Sequence, residues 1–135
     1  MTRVINTLAT ICGMLWTLPN TLLGLLVGVI GFAYPEALTN TAIEMVAYKV
    51  GLLQWLMGLN GTNAVTFGNV IIYRDTSLMS NRITSHEHAH IYQYMCLGIL
   101  FIPTYILFYL IAAMISGNGY YYNWFEIDAR NAERD

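Results

Sequence analysis

The three histidines of this 135-residue chain, His86, His88 and His90, fall within five residues, with Glu87 among them. Residues four apart share one face of a helix, so on a helix the imidazoles of His86 and His90 converge on a single cation. Glu87, one position round, can then reach a water held by that cation and take its proton. H-E-x-x-H carried by a helix is the arrangement of zinc-dependent hydrolysis, with the histidines as ligands and the glutamate as general base. Two other arrangements compete with it. On a strand, His86, His88 and His90 would line one face at period two and build a different metal site. On a helix lying in a membrane interface they would only titrate. The flanks favour the metal helix, because Ile83, Glu87, Ile91, Tyr94 and Met95 recur at three- and four-residue spacing and Gly98 offers a stop. A histidine-box di-iron site needs many more histidines than the chain has.

The elements that must position these residues are apolar to an unusual degree. The chain is 56% hydrophobic and only 10% charged, against about a quarter charged in an ordinary soluble domain. A lipid bilayer is therefore expected to supply part of the solvent. The net charge of −2 leaves no basic stripe for phosphates and excludes nucleic acid as a partner. Cys12 and Cys96 form neither a CxxC pair nor a disulfide framework, and their apolar surroundings predict small buried hydrophobes.

Between Arg3 and Glu36 no charged residue occurs, and Pro19-Asn20-Thr21 interrupts the apolar run. Proline breaks or kinks a helix and the polar pair can cap a new one, which predicts helices over Val4 to Leu18 and Leu22 to about Phe32. They form one kinked span or a hairpin; a cleaved signal peptide fits poorly, since Arg3 alone stands in its charged region and the run is long and broken. Gly24, Gly28 and Gly31 lie near one face and suit tight helix packing. Ala37, Ile43, Val46, Val50, Leu53 and Met57 predict one amphipathic helix ending near Gly58, with Leu52, Trp55, Leu56 and Leu59 either dipping into lipid or packing in the core. Asn60-Gly61 marks a turn. Ala64 to Tyr73 is rich in β-branched and aromatic residues around Gly68-Asn69, which predicts a short hairpin or a single bulged strand. A polar loop with capping residues then leads into the metal helix. Ile99 to Ile115 is a second uncharged run, closed by Gly117-Asn118-Gly119, and Tyr120, Tyr121, Tyr122 and Trp124 make an aromatic belt before a charged, helix-prone end.

Two histidines do not complete a catalytic zinc site, which has three protein ligands and an open position. Downstream of the motif, Glu126 opens the acidic cluster in Glu126-Ile127-Asp128-Ala129. Here the chain resembles the gluzincin class of metallopeptidases, in which a helix with H-E-x-x-H is followed by a second helix bearing a glutamate ligand, often within E-x-x-A-D. Arg130 stands where that pattern has aspartate. The resemblance covers roughly residues 64 to 135. It implies Zn2+ held by His86, His90 and Glu126, Glu87 as general base and then acid in peptide hydrolysis, and Ala64 to Tyr73 as a rim on which an extended peptide adds as a strand. Tyr94, Tyr120, Tyr121, Tyr122 and Arg130 are open candidates for steadying the oxyanion. Asp128, Arg130, Glu133 and Arg134 read as a solvated face.

The resulting expectation is a mainly α, membrane-associated minimal zincin-like fold with a short β-hairpin. Residues 1–35 would form hydrophobic membrane segments, and residues 36–135 a zincin-like domain with a second apolar segment at about 99–115. If that segment crossed the bilayer, Glu126 would lie on the wrong side of it for His86, so the ligand set requires it to fold back. The function expected is a zinc metallopeptidase acting on membrane-proximal peptides or membrane proteins. The alternative is a non-catalytic membrane protein with a structural or partner-binding metal site, closed by a fourth ligand such as His88.

Overall fold

The computed structural model describes residues 2–135. Two helices open it, α1 (Thr2–Trp16) and α2 (Leu18–Ile30), bent by 60°. The break falls at Thr17 and not at the proline, because Pro19 sits in the first turn of α2, where its missing N–H leaves no bond unmade. Asn20 and Thr21 are not caps. Asn20 Nδ2 donates to the Gly98 carbonyl at 2.8 Å, and the Thr21 hydroxyl accepts from the Asn69 N–H at 3.0 Å. Thr17 donates to Asn69 Oδ1 at 2.9 Å, so the polar groups at the bend are tied to the rest of the protein.

The single amphipathic helix expected over residues 37–57 does not form. Ala33–Leu38 is strand β1, Ile43–Ala47 is β2, and only Leu52–Asn60 is helical, as α3. The physical reason is the position of β2. It is an interior strand buried along most of its length, so it lacks the two-residue alternation that announces a half-exposed strand. Val50, assigned to the buried stripe, is 99% exposed. Leu52, Trp55, Leu56 and Leu59 also face outward from α3, which excludes a core role for them.

Of the two readings of residues 64–73, the hairpin forms. β3 (Ala64–Phe67) and β4 (Val70–Tyr73) are antiparallel about Gly68-Asn69, with Gly68 at φ 59°. It is half of a larger, four-stranded mixed sheet of order β1-β2-β4-β3, in which β2 and β4 run parallel. On one face Met45, Val70 and Ile72 pack with Leu25, Val27 and Leu53, which seats α2 and α3. Gly24 and Gly28 make this approach possible: a Cβ on Gly24 would stand 2.9 Å from the Phe67 carbonyl oxygen. Their partner is the sheet rather than another helix.

On the other face Val46, Ile71 and Tyr73 pack against Ile91 and Ile83 of α4 (Asn81–Leu97), the helix that carries the three histidines. Ser80 caps it by accepting from the Ile83 N–H at 3.4 Å, and Gly98 ends it at φ 57°. After a single 3₁₀ turn come α5 (Phe101–Ser116) and then α6 (Trp124–Ala132). By length and composition the helical run Asn81–Ser116 is long and apolar enough to cross a membrane, and only 17% of its most apolar window is buried. It is not a straight rod. His90 and Tyr105 both reach Glu126, at 3.4 and 2.7 Å, whereas a straight helix would set their Cα atoms about 22 Å apart. The chain therefore turns back after Gly98. Cys12 and Cys96 are both exposed, contrary to the expectation of burial.

Candidate metal centre

The His86 and His90 side chains leave α4 one turn apart, and α6 lies alongside to add Glu126. All three are buried. One donor atom from each lies within 4.8 Å of the other two, so this group could hold a metal ion. His86 Nε2 and His90 Nε2 are 3.2 Å apart, His86 Nε2 is 3.2 Å from Glu126 Oε2, and His90 Nε2 is 3.4 Å from Glu126 Oε1. Donors held at about 2.0–2.2 Å by one tetrahedral cation would stand roughly 3.3–3.6 Å from each other. The spacing fits.

The outer atoms of both rings have partners that fix which nitrogen carries hydrogen. Gln93 Nε2 donates to the Phe125 carbonyl at 3.1 Å and to Asp128 Oδ2 at 2.8 Å, so its oxygen is left to accept from His90 Nδ1 at 2.8 Å. Glu133 Oε1 accepts from His86 Nδ1 at 2.7 Å, while its other oxygen takes Arg82 Nε at 2.6 Å. With hydrogen on both Nδ1 atoms, neutral rings turn two Nε2 lone pairs toward one another and toward a carboxylate. Glu126 Oε2 completes the pattern. It is the one buried side-chain polar atom among the described residues without an assigned hydrogen-bond partner, although His86 Nε2 stands 3.2 Å away. Lone pairs facing lone pairs in a buried site call for a cation.

Electrostatics agree. Burial works against charge on His86 and His90, but Glu126, Glu87 and their other partners outweigh it and raise both imidazoles. Burial likewise opposes the charge of Glu126, and the two histidines with the Tyr105 hydroxyl overcome it, holding the carboxyl well below the usual range. The cluster thus draws positive charge, as proton or as metal. Glu87 behaves differently. Burial dominates and lifts it above the ordinary carboxylate range, against the pull of His90 and a 2.6 Å hydrogen bond from Thr66 to its Oε2.

His86, Glu87, His90, Tyr120 and Glu126 line one cavity of about 530 Å³, whose lining also includes strand β3. Of the oxyanion candidates, Tyr94 and Tyr120 line it and the others do not. Arg130 is engaged with the Tyr121 carbonyl and ring. His88 points to the sheet, 3.2 Å from buried Glu44, and stands outside the cluster.

Sequence reasoning missed three residues. Gln93 and Glu133 orient the histidines, and Tyr105 donates to Glu126 Oε1 at 2.7 Å. Glu133 and Asp128 are accordingly not merely a solvated face; Glu133, two helical turns beyond Glu126, supplies the supporting acid that Arg130 cannot. Replacing Glu133 by alanine is expected to weaken metal binding by about 10- to 100-fold, read by competition with a colorimetric chelator. Unchanged affinity would show that His86 is oriented without it. No protein-family profile, curated protein or solved structure matches this chain.

Proposed function

We propose that the protein is a membrane-associated, zinc-dependent hydrolase, a metallopeptidase of minimal zincin type acting on membrane-proximal peptides. The observation that carries this reading is the buried convergence of His86, His90 and Glu126 with Glu87 in the same cavity. Zinc bound by the three ligands supplies Lewis-acid polarisation of a carbonyl and an acidified water. Glu87 takes the proton of the attacking water and passes it to the leaving amine. Its raised pKa suits both halves of that task, and the Thr66 hydrogen bond to Oε2 leaves Oε1 for the water. Tyr94 and Tyr120, which both line the cavity, are the hydroxyls available to a developing oxyanion.

The two edges of the sheet support an extended peptide as substrate. β1 is blunted by Pro35 and by a bulge between Pro35 and Ala37, the usual protection of an exposed edge. β3 has neither. With Phe67 opposite Val70 across a two-residue turn and the Arg74 N–H bonded to the Asn63 carbonyl at 2.9 Å, the backbone groups of Ala64 and Thr66 point to the open edge. An added strand would hydrogen-bond there, along the cavity that the ligands line.

The test is cleavage of a fluorescence-quenched peptide library by the purified, detergent-solubilised chain. Cleavage is expected to disappear with phenanthroline and return with added zinc. A chain that retains stoichiometric zinc and cleaves nothing would assign the non-catalytic alternative, against which His88, turned away to Glu44, already argues.

A further inference from the structure

α5 beyond Tyr105 has few uses inside the protein. Ile106, Leu107, Leu110, Ile111, Met114 and Ile115 are all exposed, Met114 at 86% and Ile115 at 82%. No charged residue occurs from Ile99 to Phe125. The helix is apolar around its whole circumference rather than along a stripe, so a single protein partner on one side would not cover it, whereas lipid would. The chain returns along one side: Gly119 packs on Tyr109, and Asn123 Nδ2 donates to the Tyr105 carbonyl at 3.2 Å.

The tip of this excursion pairs part of its own polar surface. Ser116 Oγ donates to the Ala112 carbonyl at 2.6 Å and accepts from the Asn118 N–H at 3.3 Å. Gly117 N–H reaches the Ala113 carbonyl at 2.9 Å, and Tyr121 N–H reaches Asn118 Oδ1 at 2.9 Å. Such capping lowers the cost of carrying a helix end into hydrocarbon. Tyr120, Tyr121, Tyr122 and Trp124, each about half exposed or more, follow at its base with Arg130 beside Tyr121. Aromatic rings and a basic group at one level are what a headgroup layer selects.

We infer that Ile106 to Tyr122 is a hairpin that enters one leaflet of a bilayer and returns, leaving the metal cavity at the surface of that leaflet. From Tyr105 to Ser116 the helix advances about 16 Å, close to half of a hydrocarbon core of about 30 Å. Tyr105 itself is fixed to Glu126, so the depth of the hairpin sets the height of the cavity above the lipid. The inference rests on the membrane reading above and makes it specific, and it replaces a crossing span by insertion from one side.

The experiment uses the full chain with Cys12 and Cys96 replaced by serine and a single cysteine at Met114 or Asn118, added to vesicles of phosphatidylcholine and phosphatidylglycerol. Flotation first reads whether the chain binds lipid. A fluorophore at position 114 is expected to be quenched by lipids carrying a nitroxide near the chain end, more than by lipids labelled near the headgroup. A cysteine at position 118 should resist impermeant thiol reagent from outside and from within the vesicle. Flotation without deep quenching would leave the membrane reading standing and overturn the hairpin. Labelling of position 118 from the lumen alone would overturn it in favour of a crossing. Protection of both positions without quenching, with energy transfer between labelled chains, would assign the surface to a second copy and overturn it too.

Discussion

Replacing Glu87 by glutamine is expected to lower peptide hydrolysis by about two to four orders of magnitude while the metal stays in place. The amide keeps the shape of the side chain and can still accept from Thr66, which donates to Glu87 Oε2 at 2.6 Å. It cannot take a proton from water. Burial already disfavours the Glu87 charge, so a neutral isostere imposes no new electrostatic strain and the fold should hold. Turnover and zinc content, measured on the same preparation, separate the roles: a general base is needed for turnover and not for metal retention. Zinc loss in parallel with activity would put Glu87 in the ligand set and contradict the assignment.

Removal of a ligand is expected to have the larger effect on binding. Glu126→Ala would leave His86 Nε2 and His90 Nε2 facing each other at 3.2 Å with no anionic group between them, and would strip the Tyr105 hydroxyl of its acceptor. His90→Ala would remove one of two imidazoles and free Gln93. Metal affinity should fall by more than the about 10- to 100-fold typical of supporting residues. Added zinc should then no longer raise the unfolding temperature, as it must when it binds only the folded chain. His88→Ala is the control. It deprives buried Glu44 of a partner and is expected to cost stability while leaving metal affinity alone. Equal loss of metal in His88→Ala would undo the proposed ligand set.

What the sequence disclosed depended on how local each signal was. The helix over His86 and His90 was legible because its apolar spacing, its Ser80 cap and its Gly98 stop all lie within the helix or one residue outside it. The hairpin was legible because Gly68-Asn69 is a turn by its own chemistry. Residues 37–57 were not, since the burial of β2 is imposed by neighbours distant in sequence and happens to mimic a helical period. Glu126 could be named because it begins the one acidic cluster after the motif. Its helpers were partly visible: Gln93 stands three residues after His90, and Glu133 seven after Glu126, spacings that share a helix face. A charge run is usually solvated, and that default hid Glu133. Tyr105 had no local signal at all, because only the reversal of the chain after Gly98 brings it to Glu126.

The same reversal explains how an apolar run can coexist with a ligand beyond it. α6 returns along α4 from Phe125, beside Gln93, to Glu133, beside His86 and Arg82. Glu126 is therefore delivered by the segment that follows the exposed apolar helix α5, and Tyr105 of α5 is tied to it directly.

The most direct test of the account is X-ray absorption at the zinc edge on the purified, zinc-loaded chain. The expected first shell holds nitrogen and oxygen only, at about 2.0–2.2 Å, with outer scattering from two imidazoles. His86→Ala and His90→Ala should each abolish this two-imidazole spectrum, and His88→Ala should leave it unchanged. A shell containing sulfur from Cys12 or Cys96, a third imidazole, or a spectrum that His90→Ala leaves unchanged would contradict the assignment of His86, His90 and Glu126 as the metal centre.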